Sequence, residues 1–348
     1  MVNLVDLLDP KPGPLWTLVR QAGITDVVSV LEGAEQQSRW LSSHGSQSAV
    51  PPPLAGRSSE DPSWSYPRLA QLQEQFAGHG LRLVGIEDSP PLDLVRLGLP
   101  GRDAQIDQLL TQIRAMGRLD IPVLCYNWSA LTSWSRTDVA VPLRGGALST
   151  GFAMDEMSLA DPLPGSEGYS REQLWAGLEY FLAAVVPVAE ESGVALAMHP
   201  DDPPVAEIRG VPRIMNSLDS FRRLLDSHES KSNGMALCQG NFALITDDIP
   251  TMIREFGQAD RIKFVHFRDV SGTPEHFYET FHDDGPTDMY ACMLAYEEVG
   301  FDGPMRPDHV PTLAGETNAR PGYETLGRLL ALGYITGLRE AARRDHRG

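Results

Sequence analysis

Short runs of aliphatic and β-branched residues alternate along this chain with longer amphipathic segments. This alternation predicts repeated βα units around a parallel sheet. The predicted strands cover residues 2–8, 24–31, 81–87, 121–128, 194–200, 234–240, 262–270 and 303–309. Helical periodicity occupies residues 67–80, 102–119, 170–193, 217–228, 247–257, 289–300 and 323–338. Eight strands with intervening helices predict an α/β fold, a single (β/α)8 TIM barrel that spans residues 1–348.

Two stretches match no regular pattern. Residues 42–64 are rich in Ser, Pro and Gly and are predicted to form a flexible surface insertion. Residues 138–169 are predicted to be a long loop after the strand at 121–128. Loops after barrel strands leave from the carboxyl ends, where active sites lie, so this loop is a candidate lid.

Composition and charge limit the classes of partner. The chain has 29 basic and 47 acidic residues and a net charge of −18, which opposes a broad nucleic-acid or anionic-membrane surface. A small anionic substrate remains compatible, because local arginines and a metal can outweigh the global field. The amino terminus does not resemble a signal peptide, and the three cysteines are widely spaced, so we expect a cytoplasmic protein without disulfides. A homo-oligomer is also compatible with the sequence.

Four predicted strands end at residues that can ligate a metal: His199, Cys238, His266 and Asp308. Each has an ordinary structural explanation when it is taken alone, since buried cysteine often behaves as a small hydrophobe. Four such residues at equivalent strand ends favour a metal site at the mouth of the barrel. Two imidazoles, a thiolate and a carboxylate form a borderline donor set that accepts Zn²⁺, Fe²⁺, Mn²⁺, Co²⁺ or Ni²⁺. We expect Cys125 and Cys292 to be structural.

Further residues can move protons or bind substrate near these ligands. His309 follows Asp308 directly and is a candidate acid or base if the strand ends there, since consecutive strand residues face opposite sides. Tyr323 precedes the last helix and either offers its hydroxyl to the mouth or packs against that helix. Guanidinium groups match carboxylates, so candidates to bind a substrate carboxylate, or to form surface ion pairs, are Arg213, Arg268 and Arg306. Other candidate substrate-binding residues are Asn241, His282 and Asp283.

Longer motifs surround these residues. They include HPDDPP (199–204), GVPRIMNS (210–217), CQGNF (238–242), VHFRDVSGTPEHFYETFHDDG (265–285), RPDHVPT (306–312) and PGYETLGRLLALGYITGL (321–338). Upstream segments that belong to the same pattern are LGLPGRDAQID (97–107), CYNW (125–128) and WSRTD (134–138). From about residue 80 onward the chain resembles the metal-dependent mannonate dehydratases of the xylose-isomerase-like barrel group.

The resemblance implies an activity and a site. The family removes water from D-mannonate, a small sugar acid, to give 2-keto-3-deoxy-D-gluconate, and it uses a divalent metal, usually Mn²⁺. It implies that His309 and Tyr323 are the acid/base pair, without deciding which is the acid. It also implies the metal ligands His199, Cys238, His266 and Asp308.

The amino-terminal part departs from the family pattern. Members usually begin with an Arg-Trp-Tyr-Gly strand and carry an Ile-Pro-x-Gly-Glu-Val-Trp segment after the next strand. Here VNLVDLLDP and EGAEQQSRW stand in their places. Three alternatives therefore accompany the dehydratase hypothesis: action on another sugar acid, isomerisation or epimerisation of a neutral sugar, and sugar-acid binding without catalysis. The thiol of Cys238 and the arginines count against a neutral-sugar isomerase.

Overall fold

The structure, a computed structural model, describes residues 2–32 and 61–347. Its strands are β1 (Asn3–Leu8), β2 (Asp26–Ser29), β3 (Arg82–Ile86), β4 (Val123–Asn127), β5 (Asp138–Pro142), β6 (Leu148–Ala153), β7 (Ala195–His199), β8 (Glu207–Ile208), β9 (Val211–Pro212), β10 (Asn233–Cys238), β11 (Ile262–Phe267), β12 (Val270–Thr273), β13 (His276–Glu279) and β14 (Pro304–Pro307). Its helices are α1 (Pro14–Gln21), α2 (Tyr66–Gly78), α3 (Asp93–Arg96), α4 (Arg102–Arg118), α5 (Met154–Met157), α6 (Arg171–Ser192), α7 (Leu218–Ser227), α8 (Gln239–Ala243), α9 (Ile249–Gln258), α10 (Met289–Glu298) and α11 (Thr325–Arg347).

Within the described residues, eight strands close into a parallel barrel in the order β1-β14-β11-β10-β7-β4-β3-β2. Strand β1 closes it by pairing with β14 on one side and β2 on the other. The predicted (β/α)8 barrel is confirmed, and each of the eight strands predicted from sequence is a barrel strand. The carboxyl ends of these strands therefore meet at one mouth.

Two apolar layers hold the barrel together. The larger layer lies between the strands and the surrounding helices. The smaller fills the barrel and consists of Val5, Leu7, Val28, Val84, Val123, Cys125, Ala197, Ala236, Phe264 and Tyr323. Successive strand residues face opposite sides, so every second residue of a barrel strand points inward. Cys125 and Cys292 are both buried, in agreement with a structural role.

Residues 138–169 are not an irregular loop, and that part of the prediction is wrong. They contain β5 and β6, which are antiparallel and joined by a tight turn at Arg144–Gly146. Two glycines with φ of +67° and +81° make this turn. Strand β6 pairs with β13, and β13 with β12, so that β12-β13-β6-β5 form a four-stranded sheet that we call the cap sheet. Strand β5 alternates between exposed and half-buried residues and has no fully buried position. It therefore lacks the hydrophobic alternation by which a strand is predicted from sequence.

The remaining features of the fold are the predicted insertion, the first helix and the apolar character of the helices. Residues 42–60 of the predicted insertion lie outside the described residues, and residues 61–64 lead into α2. Helix α1 was not predicted, although its buried Trp16 and Val19 pack against the barrel. None of the helices in the described ranges combines the length and apolar character that a membrane span requires.

Candidate active site

Three predicted metal ligands converge at the carboxyl ends of the neighbouring strands β7, β10 and β11. His199, Cys238 and His266 each offer a donor atom, and these atoms lie within 4.8 Å of one another. His199 Nε2 is 3.1 Å from His266 Nδ1. Two positions before each of these residues is a residue whose side chain fills the barrel. Because side chains alternate between the two faces of a strand, all three predicted ligands also point into the barrel. Those barrel residues are Ala197, Ala236 and Phe264.

Asp308, the fourth predicted ligand, reaches the same place from the end of β14. Its Oδ2 is 3.9 Å from Cys238 Sγ and 3.6 Å from His266 Nδ1. Its Oδ1 accepts hydrogen bonds from Arg306 Nη1 at 2.6 Å and from the Tyr323 hydroxyl at 3.3 Å. Burial opposes ionisation of Asp308, but the neighbouring positive charges, Arg306 first among them, hold its pKa well below the usual range. The structure thus brings all four predicted ligands together.

The charges around this cluster fit a bound cation. Three guanidinium groups face four carboxylates, so negative charge is in excess. The guanidinium groups belong to Arg136, Arg268 and Arg306, and the carboxylates to Glu87, Asp202, Glu279 and Asp308. His266 contacts carboxylates at both ring nitrogens, with Nε2 3.3 Å from Glu87 Oε1 and Nδ1 3.6 Å from Asp308 Oδ2. A divalent metal among two imidazoles, a thiolate and a carboxylate would offset the excess, and this donor set suits the first-row transition metals.

His309 and Tyr323, the predicted acid/base pair, share the mouth with these ligands. His309 lies beyond the end of β14 with φ of +37°, so the chain turns there and its ring can lie beside Asp308. Its Nε2 is 3.8 Å from Asp308 Oδ1, and its ring centroid is 5.4 Å from that of Tyr323. Burial, together with the charge of Asp308, raises the pKa of Tyr323 well above its usual range. The phenol therefore keeps its proton.

A sequence model of the D-mannonate dehydratase (UxuA) family matches residues 17–164 and 160–347. The chain belongs to the D-mannonate dehydratase (UxuA) family. This finding confirms the family resemblance that the motifs predicted.

Individual members of the D-mannonate dehydratase family agree with this assignment. "Mannonate dehydratase 2" of Halalkalibacterium halodurans is 34% identical over 304 residues, which cover 80% of this chain and 88% of the relative. The mannonate dehydratase of Streptococcus uberis is 36% identical over 304 residues, with coverage of 80% and 87%. The crystal structure of mannonate dehydratase from Streptococcus suis serotype 2 has a TM-score of 0.86 at 30% identity and covers 99% of this chain and 94% of that one. A solved L-ribulose 3-epimerase, with a TM-score of 0.59 at 14% identity, shares the fold alone.

Arg306, predicted to bind a substrate carboxylate, binds protein groups in this D-mannonate dehydratase family member. Its Nε and Nη2 donate to the two carboxylate oxygens of Glu87 at 2.9 and 2.6 Å, while Nη1 donates to Asp308. Burial tends to raise the pKa of Glu87, but the charges of Arg306 and His266 outweigh it and lower that pKa to about 2. Arg306 therefore holds in place the carboxylate of Asp308, one of the four predicted ligands.

Arg268 is engaged in the same way. Its Nε donates to Cys238 Sγ at 3.2 Å, its Nη1 to Glu279 at 2.7 and 2.8 Å, and its Nη2 to Asp202 at 2.8 Å and Asn241 Oδ1 at 2.7 Å. A substrate carboxylate would have to displace one of these partners. The same Nε lies 3.0 Å from Asp308 Oδ2, so the guanidinium lies between two of the predicted ligands.

Asn241 and Arg213 have neighbours within the protein as well. Asn241 accepts from Arg268 and donates through Nδ2 to the backbone oxygen of Asp201 at 3.1 Å. Arg213 is fully buried and donates to Ser129 Oγ at 3.1 Å and to the backbone oxygen of Ser133 at 3.0 Å. It ties the loop after β7 to the loop after β4.

His282 and Asp283 are adjacent but lie in different surroundings. His282 is buried, its Nε2 makes no hydrogen bond, and burial lowers its pKa to about 4. Asp283 is exposed and pairs with Arg144 Nη2 at 2.7 and 2.8 Å, on the turn between β5 and β6. Of the two, His282 is the one with an unsatisfied polar atom in the interior.

Sequence reasoning missed a buried charge network beside the predicted site. Arg136 Nη1 lies 2.7 Å from Asp202 Oδ1, and Arg136 Nη2 lies 2.5 Å from Glu279 Oε1. Burial raises the pKa of Asp202, but Arg136 and Arg268 outweigh burial and lower it. These three network residues stand within family motifs, and Glu87 ends a predicted strand, yet no periodicity marks them as functional. The family pattern was the available signal.

Proposed function

We propose that this chain is a metal-dependent hydro-lyase that dehydrates D-mannonate to 2-keto-3-deoxy-D-gluconate. The observation that carries the proposal is the convergence of four predicted strand-end ligands with His309 and Tyr323 at one mouth of a D-mannonate dehydratase family barrel. The names of the similar proteins support the same substrate, a small sugar acid.

The proposed cofactor is a divalent metal held by His199, Cys238, His266 and Asp308. Mn²⁺ is the first candidate because the family pattern implies it, and the donor set also accepts Fe²⁺, Co²⁺, Ni²⁺ and Zn²⁺. Held by these residues, such a metal would supply Lewis acidity at the oxygens of the sugar acid, which would make the C2 proton more acidic and ease departure of the C3 hydroxyl.

Two residues of the chain move the protons in this proposal. His309 Nε2 takes the C2 proton as the C2–H bond breaks. Tyr323, whose raised pKa keeps its hydroxyl protonated, gives its proton to the C3 hydroxyl, which leaves as water. The resulting enol then rearranges to the 2-keto group. This assignment makes His309 the base and Tyr323 the acid.

The direct test is incubation with Mn²⁺ and a panel of aldonates, followed by detection of a 2-keto-3-deoxy product. A panel is needed because the amino-terminal strand lacks the residues usual in the family. We expect the product from D-mannonate. Binding of an aldonate in calorimetry without any product would favour a sugar-acid-binding protein and overturn the proposal.

The variant that tests the proposed base is His309→Asn. It should retain metal, because its side chain is not among the four ligands, and lose turnover by roughly 100-fold or more, since a general base contributes about that much. Full activity of this variant would contradict the chemistry even if the metal site were correct.

A further inference from the structure

Glu279 reaches from the cap sheet to the imidazole of His309. It is the last residue of β13 and is almost completely buried, with 1% of its surface exposed. Its Oε1 lies 2.8 Å from His309 Nδ1, a hydrogen-bond distance between side chains 30 residues apart. The contact lies on the side of the ring away from Nε2, the nitrogen that the proposed reaction uses.

The rest of the ring is also held. The Trp134 ring centroid lies 4.7 Å from that of His309, and the Tyr323 ring meets it edge-on. The backbone of His309 has a φ of +37°, and a Cβ added at Gly322 would lie 3.8 Å from both Cβ and Cδ2 of His309. These contacts restrict the position of the imidazole, while the hydrogen bond at Nδ1 fixes which edge of the ring faces Glu279.

The neighbours of Nδ1 also decide which nitrogen carries the proton. A carboxylate only accepts hydrogen bonds, so Nδ1 must donate to Glu279. Arg136 Nη2 lies 3.1 Å from Nδ1, but it already donates to Glu279 Oε1 at 2.5 Å and to Asp202 Oδ2 at 3.0 Å. The neutral ring then has its proton on Nδ1 and its lone pair on Nε2.

We propose that Glu279 is a positioning residue for dehydration, which acts by holding His309 as the Nδ1–H tautomer with Nε2 free toward the substrate. The inference rests on the proposed function. It identifies a residue of the cap sheet that acts on the acid/base pair without contact with the reacting atoms.

The same carboxylate links the cap sheet to the metal ligands. Glu279 accepts from Arg268 Nη1 through both of its oxygens, and Arg268 Nε donates to Cys238 Sγ. One buried side chain therefore bridges the base and the guanidinium beside the thiol. A substitution at Glu279 must be checked for metal loss before any change in rate is assigned to His309.

The test compares Glu279→Gln with Asp202→Asn. Both remove one buried carboxylate that pairs with Arg136 and Arg268, but only Glu279 is hydrogen-bonded to the imidazole of His309. In Glu279→Gln the two guanidinium groups compete for the single amide oxygen, so the NH2 turns to Nδ1 and moves the ring proton to Nε2. We expect kcat to fall by about 10- to 100-fold with KM and bound metal close to wild type. Asp202→Asn should lose a similar amount of thermal stability but only about threefold in kcat.

A second variant covers the case in which Glu279→Gln does not fold. Glu279→Asp keeps the charge among the arginines but withdraws the carboxylate by one methylene, so it should fold and still lose kcat. Equal losses of kcat in Glu279→Gln and Asp202→Asn, a loss confined to KM, or wild-type kcat in both Glu279 variants would overturn the inference while the dehydratase proposal stood.

A measurement independent of turnover completes the design. Nitrogen-15 NMR of the Zn²⁺-loaded protein, with His309→Asn to assign the signals, reports which ring nitrogen carries the proton. We expect Nδ1–H in the wild type and Nε2–H in Glu279→Gln. If no aldonate is dehydrated, the functional proposal fails, but the NMR measurement still tests the role of Glu279. A proton on Nε2 of His309 in the wild type would overturn that role.

Discussion

Cys238 differs chemically from the other two buried cysteines. Burial raises the pKa of both Cys125 and Cys292, so these two remain thiols in apolar surroundings. Cys238 is equally buried but lies among charged groups, with Arg268 Nε at 3.2 Å and Asp308 Oδ2 at 3.9 Å from its sulfur. At the scale of one residue, these charged neighbours distinguish a predicted metal ligand from two core side chains of the same type.

The first prediction uses this difference. Cys238→Ser should lower bound metal by roughly 10-fold or more, because a neutral hydroxyl replaces a charged sulfur donor. Metal is measured by elemental analysis after dialysis against a limiting concentration. The control is Cys292→Ser, a buried substitution of the same kind on α10, which should keep its metal. Equal metal loss in the two variants would remove Cys238 from the ligand set.

His282 supports a prediction about pH and stability. Its folded-state pKa of about 4 lies below the ordinary value of 6.5, so between these values the unfolded chain binds more protons than the folded one. Stability should therefore fall as the pH drops through this window, by about 2 kcal/mol between pH 7.5 and pH 5 from this residue alone. Urea unfolding of wild type and His282→Gln at both pH values isolates the effect, because other titrations cancel in the difference. An unchanged pH dependence in the variant would contradict it.

At the scale of elements, the cap sheet brings two buried groups to the barrel mouth. Strand β13 ends at Glu279, and Arg136 precedes β5; both lie within hydrogen-bond distance of His309 Nδ1. A backbone bridge between Leu148 and Thr312 joins the sheet to the segment that follows His309. The sheet therefore forms one wall of the candidate site.

The hairpin of β12 and β13 gives the element-scale prediction. Gly272 has φ of +133°, and a Cβ there would clash with the backbone oxygen of His276 and lie 2.7 Å from the Cα of Phe277. Gly272→Ala should distort the hairpin that carries Glu279 and lower kcat by roughly 10- to 100-fold, with the barrel still folded. Circular dichroism and steady-state kinetics check both points.

Gly145→Ala is the matched control for this hairpin. Gly145 also has a positive φ, of +67°, but a Cβ there would have no atom within 4 Å. Its substitution should cost about 1 kcal/mol of stability and leave kcat within about twofold of wild type. Similar losses of kcat in the two variants would mean that positive φ alone, and not the hairpin beside His309, explains the effect.

The elements also show what sequence can predict. The barrel strands were predictable because their apolar runs are continuous, and the convergence of the four candidate ligands because each such run stops at a donor. The cap sheet was not predictable from alternation, since β5 has no fully buried residue. The pairing of Glu87 with Arg306 joins residues 219 positions apart, and the preference of Arg306 for protein carboxylates over substrate follows only from the closed barrel. Local pattern predicts where a strand ends but not which charges meet there.

At the scale of the whole molecule, the ligands come from adjacent barrel strands. The strands β7, β10, β11 and β14 are neighbours in the closed sheet and carry the candidate ligands His199, Cys238, His266 and Asp308 within one residue of their ends. A metal held by all four would join consecutive strands that span more than a hundred residues of sequence. A metal bound in this way binds the folded barrel and not the unfolded chain, so it stabilises the fold.

The final prediction measures this linkage. Chelator-treated protein given Mn²⁺ at about 100 times its dissociation constant should gain roughly 2.7 kcal/mol, which for a chain of this length raises Tm by about 4 °C. The shift should be absent in Cys238→Ser at the same metal concentration. It should also be smaller with Mg²⁺, which prefers oxygen ligands to imidazole and thiolate. An equal shift in the variant, or none in the wild type, would mean that the four strand ends do not act together as one metal site.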